Sequence, residues 1–329
     1  MLLYDKGYSY LKQEYIVPLS KYKVNYRSIG TTNIKSILKG CQFTSVQYVG
    51  PSHFKFVFDE ETILTALLGD LWLCYIRAVL QKDSAKKIYP LYPDFCPNWS
   101  IVSDYYFAFY CASTLLRLTM RGTIYLDSSV SKPLNYTITS VLNGLNAVKE
   151  NSTYNIYKDT DQEGKYILDL KPSGRQTHET VWIETAQVIK MLSSKSDHTS
   201  DEYTFLKCLT LVLGRLEETF PCKLRNQVNY QLPYGMKAVD KKIFPAYACE
   251  YNPNGKWLEA ILSYTGKADD NVDQRLQLFS AYIKYLDILV NNLITEYYDI
   301  QGRQCGIQHA INRKRSTPII FPEATYTYR

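Results

Sequence analysis

The sequence predicts a mainly α-helical protein: a helical bundle with a small β-hairpin and an irregular C-terminal extension. Three observations carry this. Apolar residues recur at three- and four-residue spacing over several stretches of twenty residues or more. Strict alternation is confined to short runs. A composition of 46% hydrophobic and 21% charged residues over 329 positions supplies enough apolar side chain for a large core.

The elements follow in order. Thr32 is placed to cap a helix through Leu38 that Gly40 ends. Phe54 to Phe58 alternate as a short strand. Asp59, Glu60 and Glu61 then put acids in the first turn of a helix, where they complement its dipole. Ile63, Leu64, Leu67, Leu68, Leu71, Trp72, Tyr75, Ile76 and Val79 form the long apolar face behind them. Asp70 and Arg77 interrupt that stretch, so a membrane span is not expected.

Three prolines between residues 89 and 98 break the chain, and a second long helix is expected over 99–120, closed by Gly122. Its face runs through Tyr106, Phe109, Tyr110, Ser113, Leu116 and Leu118. A further helix is expected over 137–148. Two alternating runs between Tyr154 and Leu170 flank a polar turn and read as the hairpin. Helices resume over 179–192 and over 201–220, the latter capped by Ser200. Pro221 interrupts before the register continues through LRNQVNYQL. Irregular chain then precedes a last helix over 273–298, and strand is expected only in small hairpins.

Net charge is +6, too mild to point to nucleic acid without clustering. The eight cysteines form no CxxC pair and the four histidines are scattered, so no zinc pattern and no cofactor motif appears. Cys74, Cys111 and Cys208 lie in apolar runs and are expected reduced and buried. The first residues lack a signal-peptide layout, and a cytoplasmic protein is expected. Tyrosine, at 30 residues, is the unusual component; each ring has an apolar body and a polar tip suited to core margins and interfaces.

Two stretches stand out for chemistry. The first is Tyr105-Tyr106-x-x-Phe109, followed by Leu115-Leu116 and Gly122; the second is Arg225-Asn226-x-x-x-Tyr230. Together, over residues 95–235, they resemble the HEPN superfamily of small helical bundles, in which an aromatic-rich helix precedes one bearing Arg-Asn-x-x-x-His. More loosely, the chain resembles YaaC-like bacterial proteins. The HEPN resemblance divides the chain into an N-terminal helical region (1–94), an HEPN-like core with a hairpin insertion (95–235), and a C-terminal helix and tail (236–329).

What the resemblance implies is metal-independent RNA cleavage at a cleft between two protomers. There the Arg steadies the scissile phosphate and the His moves protons. On this sequence the site residues carried over are Arg225, Asn226 and Tyr230. A phenol with an ordinary pKa of about 10 is a poor base at neutral pH, so nuclease activity is expected to be weak or lost. The expectation is an HEPN-like subunit of a bacterial defence or toxin-type system, homodimeric or in a complex with another protein, with RNA as a possible ligand. The alternatives are a helical adaptor for a partner ATPase or nuclease, and an active ribonuclease using another proton-transfer group. Arg175 and His178, in a polar loop before a helix, could approach an anion, and Arg303 with His309 forms a further pair near the end.

Overall fold

Short-range rules account for where the helices start. The computed structural model describes residues 9–22, 31–91, 97–142, 147–160, 165–230 and 272–301. A π-helical turn, Lys12–Ile16, runs into α1, Val17–Ser20. Helix α2, Ile34–Lys39, is capped by Asn33, one residue beyond the expected Thr32. Asn33 Oδ1 accepts from Ser36 N at 2.9 Å and Ser36 Oγ accepts from Asn33 N at 2.9 Å, a reciprocal pair that satisfies two terminal donors. In α3, Glu60–Leu91, Asp59 Oδ1 accepts from Thr62 N at 2.8 Å. Helix α4 is Pro97–Leu118; its opening proline has no N–H to leave unpaired.

The long helices α3 and α4 form a hairpin beside which four further helices pack, three on α4 directly and α7 through α6 and α9. These are α6, Thr177–Lys195; α7, Asp201–Leu216; α8, Phe220–Tyr230; and α9, Val272–Gln301. Ser200 caps α7, accepting from Tyr203 N at 3.0 Å. Pro221 does not interrupt a helix; it lies in the first turn of α8, after Glu217 has turned the chain with a φ of 65°. Helix α4 is buried nearly all round, by Tyr105, Phe107, Ala108, Cys111, Ala112 and Leu115. Of the stripe expected to face the core, Leu116 and Leu118 are buried, whereas Tyr106, Phe109, Tyr110 and Ser113 form the half-buried side. A central helix has no single apolar face to read from a helical period. One hydrophobic cluster extends from Leu11 to Tyr297.

The small hairpin expected from sequence is corrected to a five-stranded antiparallel sheet. Its strands are β1, Ser45–Gly50; β2, His53–Phe58; β3, Arg121–Leu126; β4, Ser152–Thr160; and β5, Tyr166–Pro172, in the order β1-β2-β5-β4-β3. The predicted hairpin is β4–β5 at its middle, with Ile156 opposite Leu170, and β2 joins it with Phe56 opposite Leu168. Phe54, Phe56, Phe58, Ile156, Leu168 and Leu170 make the buried face. The helix expected over 137–148 is α5, Ser128–Val141, capped by Asp127. Val148 lies outside it, held by Asn135 through two hydrogen bonds of 2.7 and 2.9 Å.

Gly122 does not close α4. Met120, at a φ of 56°, makes that turn, and Gly122 lies in β3 under the Arg117 guanidinium. A Cβ at Gly122 would sit 1.0 Å from Arg117 Nη1, so any side chain there displaces the guanidinium. Arg117 donates to Arg121 O at 3.0 Å and Thr123 O at 3.3 Å, and its Nε stands 3.6 Å from Asp70 Oδ2. Asp70, one of the charges that interrupt the apolar run of α3, therefore meets Arg117 of α4. By length and composition α3 is apolar enough to cross a membrane over Glu60–Ala85, and 56% of its most apolar window is buried within this fold.

The described cysteines, Cys41, Cys74, Cys111, Cys208 and Cys222, are free. Cys111 and Cys208 are buried as expected, and Cys74 is half-buried. Burial pushes the Cys74 thiol up to about 11 and that of Cys111 well above its ordinary value, so neither offers a thiolate at neutral pH. Cys96, Cys249, Cys305, the Arg303–His309 pair and the C-terminal extension lie outside the described residues.

Candidate functional site

Arg225 is brought by α8 against the half-buried side of α4, 119 residues earlier in the chain. Its Nη2 donates to Tyr106 Oη at 3.3 Å, and its Nη1 donates to Asn226 Oδ1 at 2.7 Å. The guanidinium carbon is 5.9 Å from the ring centre of Tyr105 and 6.0 Å from that of Tyr106. Those quadrupoles favour a cation over their faces. Burial works against the charge, yet the Tyr106 hydrogen bond and the surrounding phenols outweigh it and raise the Arg225 pKa. Its Nε is buried with no hydrogen-bond partner among the described residues, which is unusual for a donor carrying part of a formal charge.

Tyr230, the third residue of the motif, ends α8 and is 74% exposed. It and Arg225 point about 140° apart around the helix axis. The structure thus brings Arg225 and Asn226 together with Tyr106, and leaves Tyr230 on the surface.

His178, expected in a polar loop from which it could approach an anion, stands instead in the first turn of α6, half-buried. Its ring stacks on Phe109, with centres 4.5 Å apart and planes at 27°, and lies 5.9 and 6.1 Å from the rings of Tyr105 and Tyr106. Arg225 and His178 therefore share the same two tyrosine rings. His178 Nδ1 is 2.8 Å from Tyr105 Oη, which also accepts from Trp182 Nε1 at 3.3 Å. No local pattern signals this, because its partner lies 73 residues away. Arg175, paired with His178 in the sequence reading, instead bonds Glu179 at 2.8 Å on the surface.

Burial first, and the Arg225 charge second, lower the His178 pKa below its ordinary value. The unfolded chain therefore takes up a proton near pH 6.5 while the folded one does not. Stability from this group is complete above pH 6.5 and falls as pH drops towards the folded pKa. In His178→Phe that dependence is expected to vanish. Urea titrations at pH 7.5 and pH 5 should show the variant closer to wild type at the lower pH, and an equal gap at both would contradict this.

A cavity of about 170 Å³ lies between α3, α4 and α9, lined by Tyr75, Lys82, Phe107, Cys111, Asp287 and Asn291 among others. Its polar groups bond one another: Tyr75 to Asn291, Asn291 to Asp287, and Lys82 to Asp287. Among the described residues no group of three or more His, Cys, Asp or Glu could hold a metal ion. The Arg225–His178 cluster is the place where a cation, ring nitrogens and phenols meet with donor capacity to spare. No family model, curated protein or solved structure matches the chain.

Proposed function

We propose that this chain is an HEPN-like, RNA-binding subunit of a defence or toxin-type system, in which Arg225 holds a backbone phosphate and cleavage is weak or absent. The observation that carries the reading is the state of Arg225. Its guanidinium is braced by Tyr106 and Asn226 over two aromatic rings, with its Nε unpartnered. A planar, pre-oriented guanidinium matches phosphate oxygens and loses little freedom on binding them. The meeting of α4 with α8 is also the meeting of the two motif stretches. Tyr230, exposed at the end of α8, offers a phenol where the motif has an imidazole. The free thiols fit a reducing cytoplasm, and homodimers or a hetero-complex remain the assemblies this reading calls for.

The test is fluorescence anisotropy with a labelled single-stranded RNA at low salt. Arg225→Ala is expected to weaken binding about tenfold or more, the worth of a hydrogen-bonded charge, and to flatten the salt dependence by about one ion. Wild-type binding that Arg225→Ala leaves unchanged would remove the site from the proposal. Robust metal-independent cleavage abolished by Arg225→Ala would overturn its non-cleaving half.

An adaptor reading draws on a different observation, the exposure of Trp99 (62%), Tyr136 (82%) and Tyr230. Aromatic side chains of this kind are enriched where proteins meet. On that reading Arg225→Ala leaves partner binding intact, and substitution of the exposed aromatics disrupts it.

A further inference from the structure

The hydrogen-bond chain behind His178 specifies which of its nitrogens carries the proton. Trp182 Nε1 is a donor only, so Tyr105 Oη accepts from it. Tyr105 is fully buried, and its own O–H needs an acceptor; His178 Nδ1, at 2.8 Å, is the one within reach. The reverse arrangement, with Nδ1 donating to Tyr105, would leave the phenol proton buried without a partner. The neutral ring therefore carries its proton on Nε2, which forms no hydrogen bond among the described residues. Tyr106 Oη, having accepted from Arg225, likewise keeps a proton to give.

Resting on the proposal that Arg225 holds a phosphate, we infer that His178 is its second anion ligand: a neutral Nε2–H donor locked in one tautomer by Trp182 and Tyr105, and not a proton-transfer group. Arg225, Tyr106 and His178 each offer a donor beside the same two rings. An oxyanion is what such a set takes.

The charge count narrows the anion further. Arg225 is one cation. Arg175 and Glu179 cancel each other on the α6 side, Lys223 and Glu217 do so beside α8, and burial raises the pKa of the Cys222 thiol. One positive charge with neutral donors suits the single charge of a phosphodiester. A terminal phosphate carries between about 1.5 and 2 charges at pH 7. The locked ring also makes binding insensitive to pH, because taking up a proton on Nδ1 would require the Tyr105 hydroxyl to turn away.

Two measurements test this. Long-range ¹H–¹⁵N spectra, with the His178 signals assigned by their loss in His178→Phe, should show Nε2 protonated and Nδ1 bare at pH 7; the opposite tautomer overturns the inference. The anisotropy assay is then repeated with His178→Phe, which keeps the stacking on Phe109 but removes the N–H. About a tenfold loss of RNA affinity is expected, with wild-type affinity level between pH 7.5 and 5.5. A dinucleoside monophosphate should compete better than the matching 5′-mononucleotide. If Arg225→Ala abolishes binding and His178→Phe leaves it unchanged, His178 is no ligand although the Arg225 proposal survives. If neither variant matters, the Arg225 proposal itself fails. Wild-type affinity that climbs below pH 6.5, and does so only while His178 is present, would show an imidazolium ligand and overturn the lock.

Discussion

Arg117→Met is expected to destabilise the protein by about 3–5 kcal/mol, the usual cost of stripping one partner from a buried ion pair. Arg117 and Asp70 are both largely buried, with side chains 8% and 16% exposed, and their closest approach of 3.6 Å is a charge pairing, not a hydrogen bond. Methionine fills similar space but leaves Asp70 ionised with only the 3.4 Å bond from Ile34 N. It also takes donors away from Arg121 O and Thr123 O, so the corner from α4 into β3 loses its tie. Burial already raises the Asp70 pKa against the pull of Arg117. Without the guanidinium that pKa rises further, so the penalty eases as pH falls through it and the carboxyl takes a proton. Denaturant titrations should show the deficit shrinking as pH is lowered. Adding Asp70→Leu should recover part of the loss, since an apolar pair replaces an orphaned charge. A single variant within about 1 kcal/mol of wild type would mean the pair is solvated and the corner is not built as described.

That corner also shows where the sequence stops being legible. Helix α9 announces itself because it buries one continuous stripe, and α3 because its apolar residues run on for several turns, while Ser200 and Asp59 mark helix starts through bonds to residues only three positions away. Gly122 reads as a helix stop, yet its reason is a guanidinium five residues earlier that folds back over it. The sheet escapes for a related cause. Strands β1 and β3 are six residues each, and β2 finds its partner β5 more than a hundred positions away, so no local run shows that five strands join. At the candidate site, Arg225 and Asn226 are visible as a short motif. Tyr106 is visible only as part of an aromatic stripe. His178 is visible only as half of a pair with Arg175, since what ties it to Arg225 is stacking and hydrogen bonding to α4. Local rules place helices; the site depends on which helix faces meet.

Trp182→Ala tests that meeting most severely. The indole is 1% exposed and packs among Tyr105, Phe109 and Tyr282, with ring centres 5.9, 6.4 and 6.0 Å away, so it joins α6 to both α4 and α9. Deleting a fully buried aromatic of this size costs about 3–5 kcal/mol, through lost burial and the cavity left behind. Trp182→Phe separates packing from hydrogen bonding. It keeps most of the volume but removes the donor to Tyr105, and should cost about 1–2 kcal/mol. Without that donor Tyr105 Oη can accept from His178 instead of giving to it, so the imidazole tautomer should become mixed while Arg225, held from α8, stays in place. Urea unfolding followed by circular dichroism reads the first effect, and the His178 nitrogen shifts read the second. A Trp182→Ala variant less than about 1 kcal/mol below wild type would mean that α6 does not dock on α4 through this residue, and the placement of His178 beside Arg225 would fall with it.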